Sequence, residues 1–180
     1  CVDEIGTIWV RGTSPTVGLM PTIPLTDEGQ ITDPSVSVPI APAASPAATA
    51  LREAREELGI EDPRVLGTLS SYPLYTSDYR LHPTVALLAH DDFTPNAAEV
   101  EAVHRLDLRA ALRLPFIQGI PWDLNGKQHV SPIFDIGAPR VVFGGTAQVL
   151  YDMLEVFAAA VGARVPETRV GTLRWADILA

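Results

Sequence analysis

Ser45-Pro-Ala-Ala-Thr-Ala-Leu-Arg-Glu-Ala-Arg-Glu-Glu-Leu-Gly59-Ile60 reads as a single capped helix. Ser45 suits the N-cap, and Pro46 the first helical position, where its missing N–H removes nothing the helix uses. Ala47, Leu51, Ala54 and Leu58 recur at helical spacing and form one apolar stripe. Gly59 is placed to end the helix in a left-handed cap. Glu53, Glu56 and Glu57 fall three and four residues apart, so the three carboxylates share a face. Like charges so spaced weaken a helix by about 0.2–0.5 kcal/mol per pair. Arg52 can offset Glu56 across one turn but cannot neutralise the cluster. A hard divalent cation can, because Mg²⁺ and its relatives take oxygen ligands from carboxylates, water and substrate phosphates. The competing reading is an ordinary solvated, charge-rich helix face.

With 180 residues, nearly half of them hydrophobic, the chain is long enough for one domain with a substantial core. Its net charge of −9 argues against a general nucleic-acid binder or a partner for anionic membranes. An anionic ligand would therefore need bound cations and local Arg or Lys. No apolar run is long enough to cross a membrane, and no signal or transit segment is visible, so a cytoplasmic setting is expected. Cys1 is the only cysteine, which excludes an internal disulfide framework. An N-terminal nucleophile or a lipid-modified residue would each begin with such a cysteine. Nothing downstream supports either, and a truncated or processed start is the reading preferred for Cys1.

Residues 7–10 and 17–20 are short β-rich runs, and the Pro-, Ser- and Ala-rich stretch over 21–46 reads as loop or irregular strand leading into the helix. A strand is expected over 65–69 and an exposed turn region over 72–81. The apolar run 84–89 has the signature of a strand buried on both faces. Alternation in 99–108 predicts another strand, with a turn of helix over 110–114. Residues 116–137 show no clear period. A short strand over 141–143 leads to a second helix over 146–161, whose stripe of Val149, Leu150, Met153, Leu154, Phe157 and Val161 is core packing. Residues 162–180 are expected as a tail loosely packed over the surface. Strands around a charged helix, with an amphipathic helix near the end, predict the α/β class.

Arg52-Glu53-Ala54-x-Glu56-Glu57-x-Gly59-Ile60 also resembles, position for position, the second half of the Nudix box, REUxEExGU with U aliphatic. The Nudix family comprises hydrolases that cleave nucleoside diphosphates linked to another moiety, using Mg²⁺ or Mn²⁺. Further segments resemble its coenzyme A pyrophosphatase branch: Gly29-Gln30-Ile31, Tyr75-Thr-Ser-x-Tyr79-Arg80-Leu81-His82-Pro83-Thr84, Asn96-Ala-Ala-Glu99-Val100 and Phe143-Gly-Gly-Thr-Ala147. The match covers about residues 29–161 of a single domain, leaving 1–28 divergent and 162–180 as the tail. Where the family has FPGG, this chain reads Asp33-Pro34-Ser35-Val36, and no carboxylate lies in 39–44, so the first half of the box is degenerate.

The resemblance implies an α/β/α sandwich with a mixed sheet between helices, and a pyrophosphatase acting on coenzyme A or a related nucleoside diphosphate derivative. Glu56 and Glu57 would be the principal metal ligands, Glu53 would ligate directly or through a water, and Arg52 would orient the carboxylates. Glu99 is the candidate general base, or else a solvated carboxylate at a strand start. Arg80 and His82 would contact the substrate's phosphates or adenine, or lie on the surface without a role. The rival reading is a Nudix-fold module that binds a nucleotide or another partner without catalysis. ADP-ribose and nucleoside triphosphates are further substrates within the family's range. The oligomeric state is open, with a homodimer among the possibilities.

Overall fold

In the computed structural model, which describes residues 45–73, 80–88, 93–100, 102–124, 126–137 and 141–178, the capped stretch forms helix α1, Pro46–Leu58. Ser45 Oγ accepts from the Ala48 N–H at 3.2 Å, as an N-cap should. Gly59 follows at φ +66°, its N–H directed to the carbonyls of Ala54 and Arg55. Leu58 and Ile60 bury the end of the apolar stripe against Val100, flanked by Ala54, Leu88, Phe93 and Val103. The expectations for Cys1, for residues 7–10, 17–20 and 21–44, and for the segments at Gly29 and Asp33 lie outside the described residues.

Four short strands follow: β1 (Arg64–Thr68), β2 (Tyr72–Pro73), β3 (Arg80–Leu81) and β4 (Thr84–Leu87). β1 pairs antiparallel with β4, with a register shift between Val65 and Gly67. β2 pairs antiparallel with β3. Two expectations change here. The apolar run at 84–87 is half-buried rather than buried on both faces, because its strand partner β1 is itself exposed along its length. The ends of the expected turn at 72–81 pair as strands, and Leu81 is buried.

Among the described residues of the 99–108 run, the expected strand does not form. Glu99 closes a turn, residues 102–107 have no regular structure, and Asp107 caps helix α2, Leu108–Leu112, by accepting from the N–H groups of Arg109 at 2.9 Å and Ala110 at 3.0 Å. Val100 and Leu108 are buried all the same, so the apolar spacing reported burial without a ladder to accompany it.

The aperiodic stretch 116–137 holds the largest sheet among the described residues. β5 (Ile117–Leu124) and β6 (Lys127–Pro132) form an antiparallel hairpin over a two-residue connection. Gly126 sits there at φ +76°, and its N–H donates to Asp123 Oδ1 at 2.9 Å. Two short strands, β7 (Phe134–Asp135) and β8 (Val141–Val142), pair next and lead into helix α3, Gly144–Val161. The tail is no loose cover: β9 (Thr168–Val170) lies parallel to β5 and completes a mixed three-stranded sheet. A last short helix, α4, spans Trp175–Ile178.

The main core gathers Leu108 and Ala111 of α2, Ile117, Phe134, Val142, and Ala147, Leu150 and Leu154 of α3. α3 begins two residues before its expected start, and its buried line differs from the expected one. Val161 is 52% exposed, while the small Ala147 and Ala158 are buried where the helix approaches its neighbours. The described structure is thus mixed α/β, with two apolar clusters, the smaller of them at the C-terminal end of α1. No helix among the described residues is long and apolar enough to cross a membrane.

Candidate functional site at the end of the first helix

The helical wheel explains how α1 presents its acids. Glu57 lies next to the apolar stripe, Glu53 farther round and Glu56 farthest. Exposure follows that order: Glu57 is 7% exposed, Glu53 is half-buried, and Glu56 is open to solvent. Arg52 spans the outer two, its guanidinium donating to Glu53 Oε1 and, at 2.6 Å, to Glu56 Oε2. The face that carries the three carboxylates is therefore graded, with one acid set into the protein and two gathered by an arginine.

These acids stand at the wrong end of the helix for helix stability. The C-terminal turn carries the negative pole of the backbone dipole, where a cation gains and an anion loses about 0.3–1 kcal/mol. Arg55 meets that preference and pairs with Glu61 at 3.3 Å. Glu56 and Glu57 oppose it.

The last carbonyls of α1 have no intrahelical donor and require outside partners. Thr94 N–H donates to Leu58 O at 2.9 Å, and Asn96 N–H donates to Glu57 O at 2.7 Å. Residues 94–100 are thereby laced to the helix end. Gly59 makes the approach possible twice over, since it adopts positive φ and a Cβ there would come within 3.1 Å of Thr94 Cβ.

The structure thus unites Arg52, Glu53 and Glu56 through ion pairs, and joins Glu57 to the turn of Glu99 through Asn96. Glu99 is half-buried within that turn, so it is neither a strand start nor fully solvated. Arg80 occupies a position in β3 opposite Pro73, and its side chain lies outside the described residues. His82 is exposed just past β3, and among the described residues it makes no hydrogen bond or ion pair with the acids of α1. Asn96 is the residue that sequence reasoning left without a role. Its signal was local: an Asn three residues before Glu99 is a common turn former.

The donors are hard oxygens of the kind that Mg²⁺ and Mn²⁺ prefer. Among the described residues, however, no three His, Cys, Asp or Glu side chains group so as to hold a metal ion between them. The described chain therefore supplies no closed protein cage. No protein-family model matches the chain, and no curated protein matches it.

Proposed function

We propose that this chain is a divalent-metal-dependent pyrophosphohydrolase of the Nudix type, acting on the diphosphate of coenzyme A or a related nucleoside diphosphate derivative. The observation that carries the reading is the half-box helix itself: Glu53, Glu56 and Glu57 lie within the last six residues of α1, with Glu57 only 7% exposed. The half-box Arg52 to Ile60 supports the same reading, with the helix caps where that pattern requires them.

On this reading Glu53, Glu56 and Glu57 would supply ligands to Mg²⁺ or Mn²⁺ only after moving from the arrangement described, in which the three do not group around one ion. The ion, when bound with the diphosphate, raises the electrophilicity of phosphorus and eases ionisation of water. Arg52 keeps the outer two acids side by side. Glu99, brought to the same helix end by its turn, takes the proton of the attacking water. Arg80 and His82 contact phosphate or adenine. The finer architecture, a Nudix-like α/β/α sandwich, belongs to this proposal, as does a cytoplasmic setting. Neither nucleic acid nor membrane is a partner on this reading.

A second reading, a Nudix-fold module that binds without catalysis, is favoured by the open donor geometry and by the arginine already bridging Glu53 and Glu56. Hydrolysis assays on coenzyme A, ADP-ribose and NADH in saturating Mg²⁺ or Mn²⁺ separate the two. Metal-dependent turnover of any of these substrates is expected for the enzyme. Nucleotide binding with no turnover supports the module.

A further inference from the structure

We infer that Asn96 is a positioning residue for the α1 site, setting Glu57 against the turn that carries Glu99; the inference rests on the function proposed above. Four hydrogen bonds meet at this one residue. Its N–H donates to Glu57 O at 2.7 Å, and its carbonyl accepts from the N–H groups of Glu99 at 2.9 Å and Val100 at 2.8 Å. Its side-chain Oδ1 accepts from the Ala98 N–H at 3.2 Å, closing the turn from within. One residue therefore links the peptide of the buried acid on α1 to the peptide of the acid on the following loop.

The turn is held from below as well. Val100 is buried in the same cluster as Leu58 and Ile60, while the Thr94 N–H caps Leu58 O. Asn96 itself is exposed and contributes nothing to that cluster. Its side chain has the single local task of shaping the turn, so its loss separates placement of Glu99 from packing of the core. Two groups acting on one diphosphate need their spacing fixed closely, and a displacement of about 1 Å can cost about a hundredfold in rate.

Steady-state kinetics on coenzyme A with Mg²⁺, together with thermal unfolding, test this on the full chain as Asn96→Ala, Asn96→Asp and Asp107→Ala. Asp107 makes the same kind of side-chain-to-backbone bonds at α2 and serves as the control. Asn96→Ala is expected to lower kcat about tenfold or more with KM little changed, and Asn96→Asp, which keeps the acceptor, to restore most of it. Asp107→Ala is expected to lower Tm at least as far as Asn96→Ala does, with kcat held. Wild-type turnover that Asn96→Ala leaves intact overturns the inference and spares the proposed function. So does a loss of kcat that Asp107→Ala reproduces or that Asn96→Asp fails to restore. Absence of wild-type turnover sinks the proposed function and this assignment with it.

Discussion

Glu56 and Gly59 sit three residues apart, and substitution should affect them in opposite ways. Glu56 is exposed, and its ion pair with Arg52 is offset by its place at the negative end of the helix and by its acidic neighbours. Glu56→Gln should therefore change stability by no more than about 0.5 kcal/mol by urea unfolding while sharply reducing turnover. Gly59 carries no chemistry but is held at φ +66° with Thr94 close by. Gly59→Ala should cost about 1–2 kcal/mol in the same measurement. Ser45, Pro46 and Gly59 were legible in the sequence because capping is local chemistry. The inequality among Glu53, Glu56 and Glu57 was only half legible: the wheel gives their order, but the depth of Glu57 depends on the loop at 94–100, which folds back from 35 and more residues downstream.

Among the elements, α3 gives the plainest contrast. Leu154 is 0% exposed at the centre of the main core, so Leu154→Ala should cost about 2–5 kcal/mol by urea unfolding. Val161→Ala, on the exposed last turn, should stay within about 0.5 kcal/mol. At α4, the backbone N–H of Arg174 and then its guanidinium hold the Asp177 carboxyl below the ordinary aspartate value. A depressed carboxyl favours the folded form above its unfolded pKa and loses that effect as pH falls through the folded one. Acidification below the aspartate range should therefore loosen α4, read in NMR as a shift of the Trp175 indole, whose ring packs edge-on to Phe143 at 6.2 Å. An unchanged indole signal down to that pH contradicts this account. The β5–β6 hairpin had a signal that periodicity overlooked, the Asn125-Gly126 dipeptide, which favours the positive φ of a tight hairpin turn. The run 99–108 was misread because its apolar residues mix steps of two and three, and burial alone does not distinguish a strand from a loop pressed onto a core.

For the whole molecule, the α/β class was readable from alternating patterns, but the parallel pairing of β9 with β5 was not, because its partners are some fifty residues apart. The sheet now depends on what had read as tail. Deletion of residues 163–180 should expose Ile117 and lower the unfolding midpoint well beyond the effect of trimming a surface segment, with circular dichroism as the readout. The open donor set makes a second prediction at this scale. Mn²⁺ titrated alone should bind weakly, and ADP-ribose should tighten it, because the diphosphate supplies oxygens that α1 lacks. Equal affinity with and without the nucleotide contradicts that arrangement.

Hydrolysis of coenzyme A in saturating Mg²⁺, measured side by side for the wild type and Glu57→Gln, bears most directly on the claim that α1 is built around a cation and a diphosphate. Turnover is expected in the wild type, and a loss of about a hundredfold or more in the variant, with the fold retained. Equal turnover in both proteins, or none in either while both bind the nucleotide alike, contradicts it.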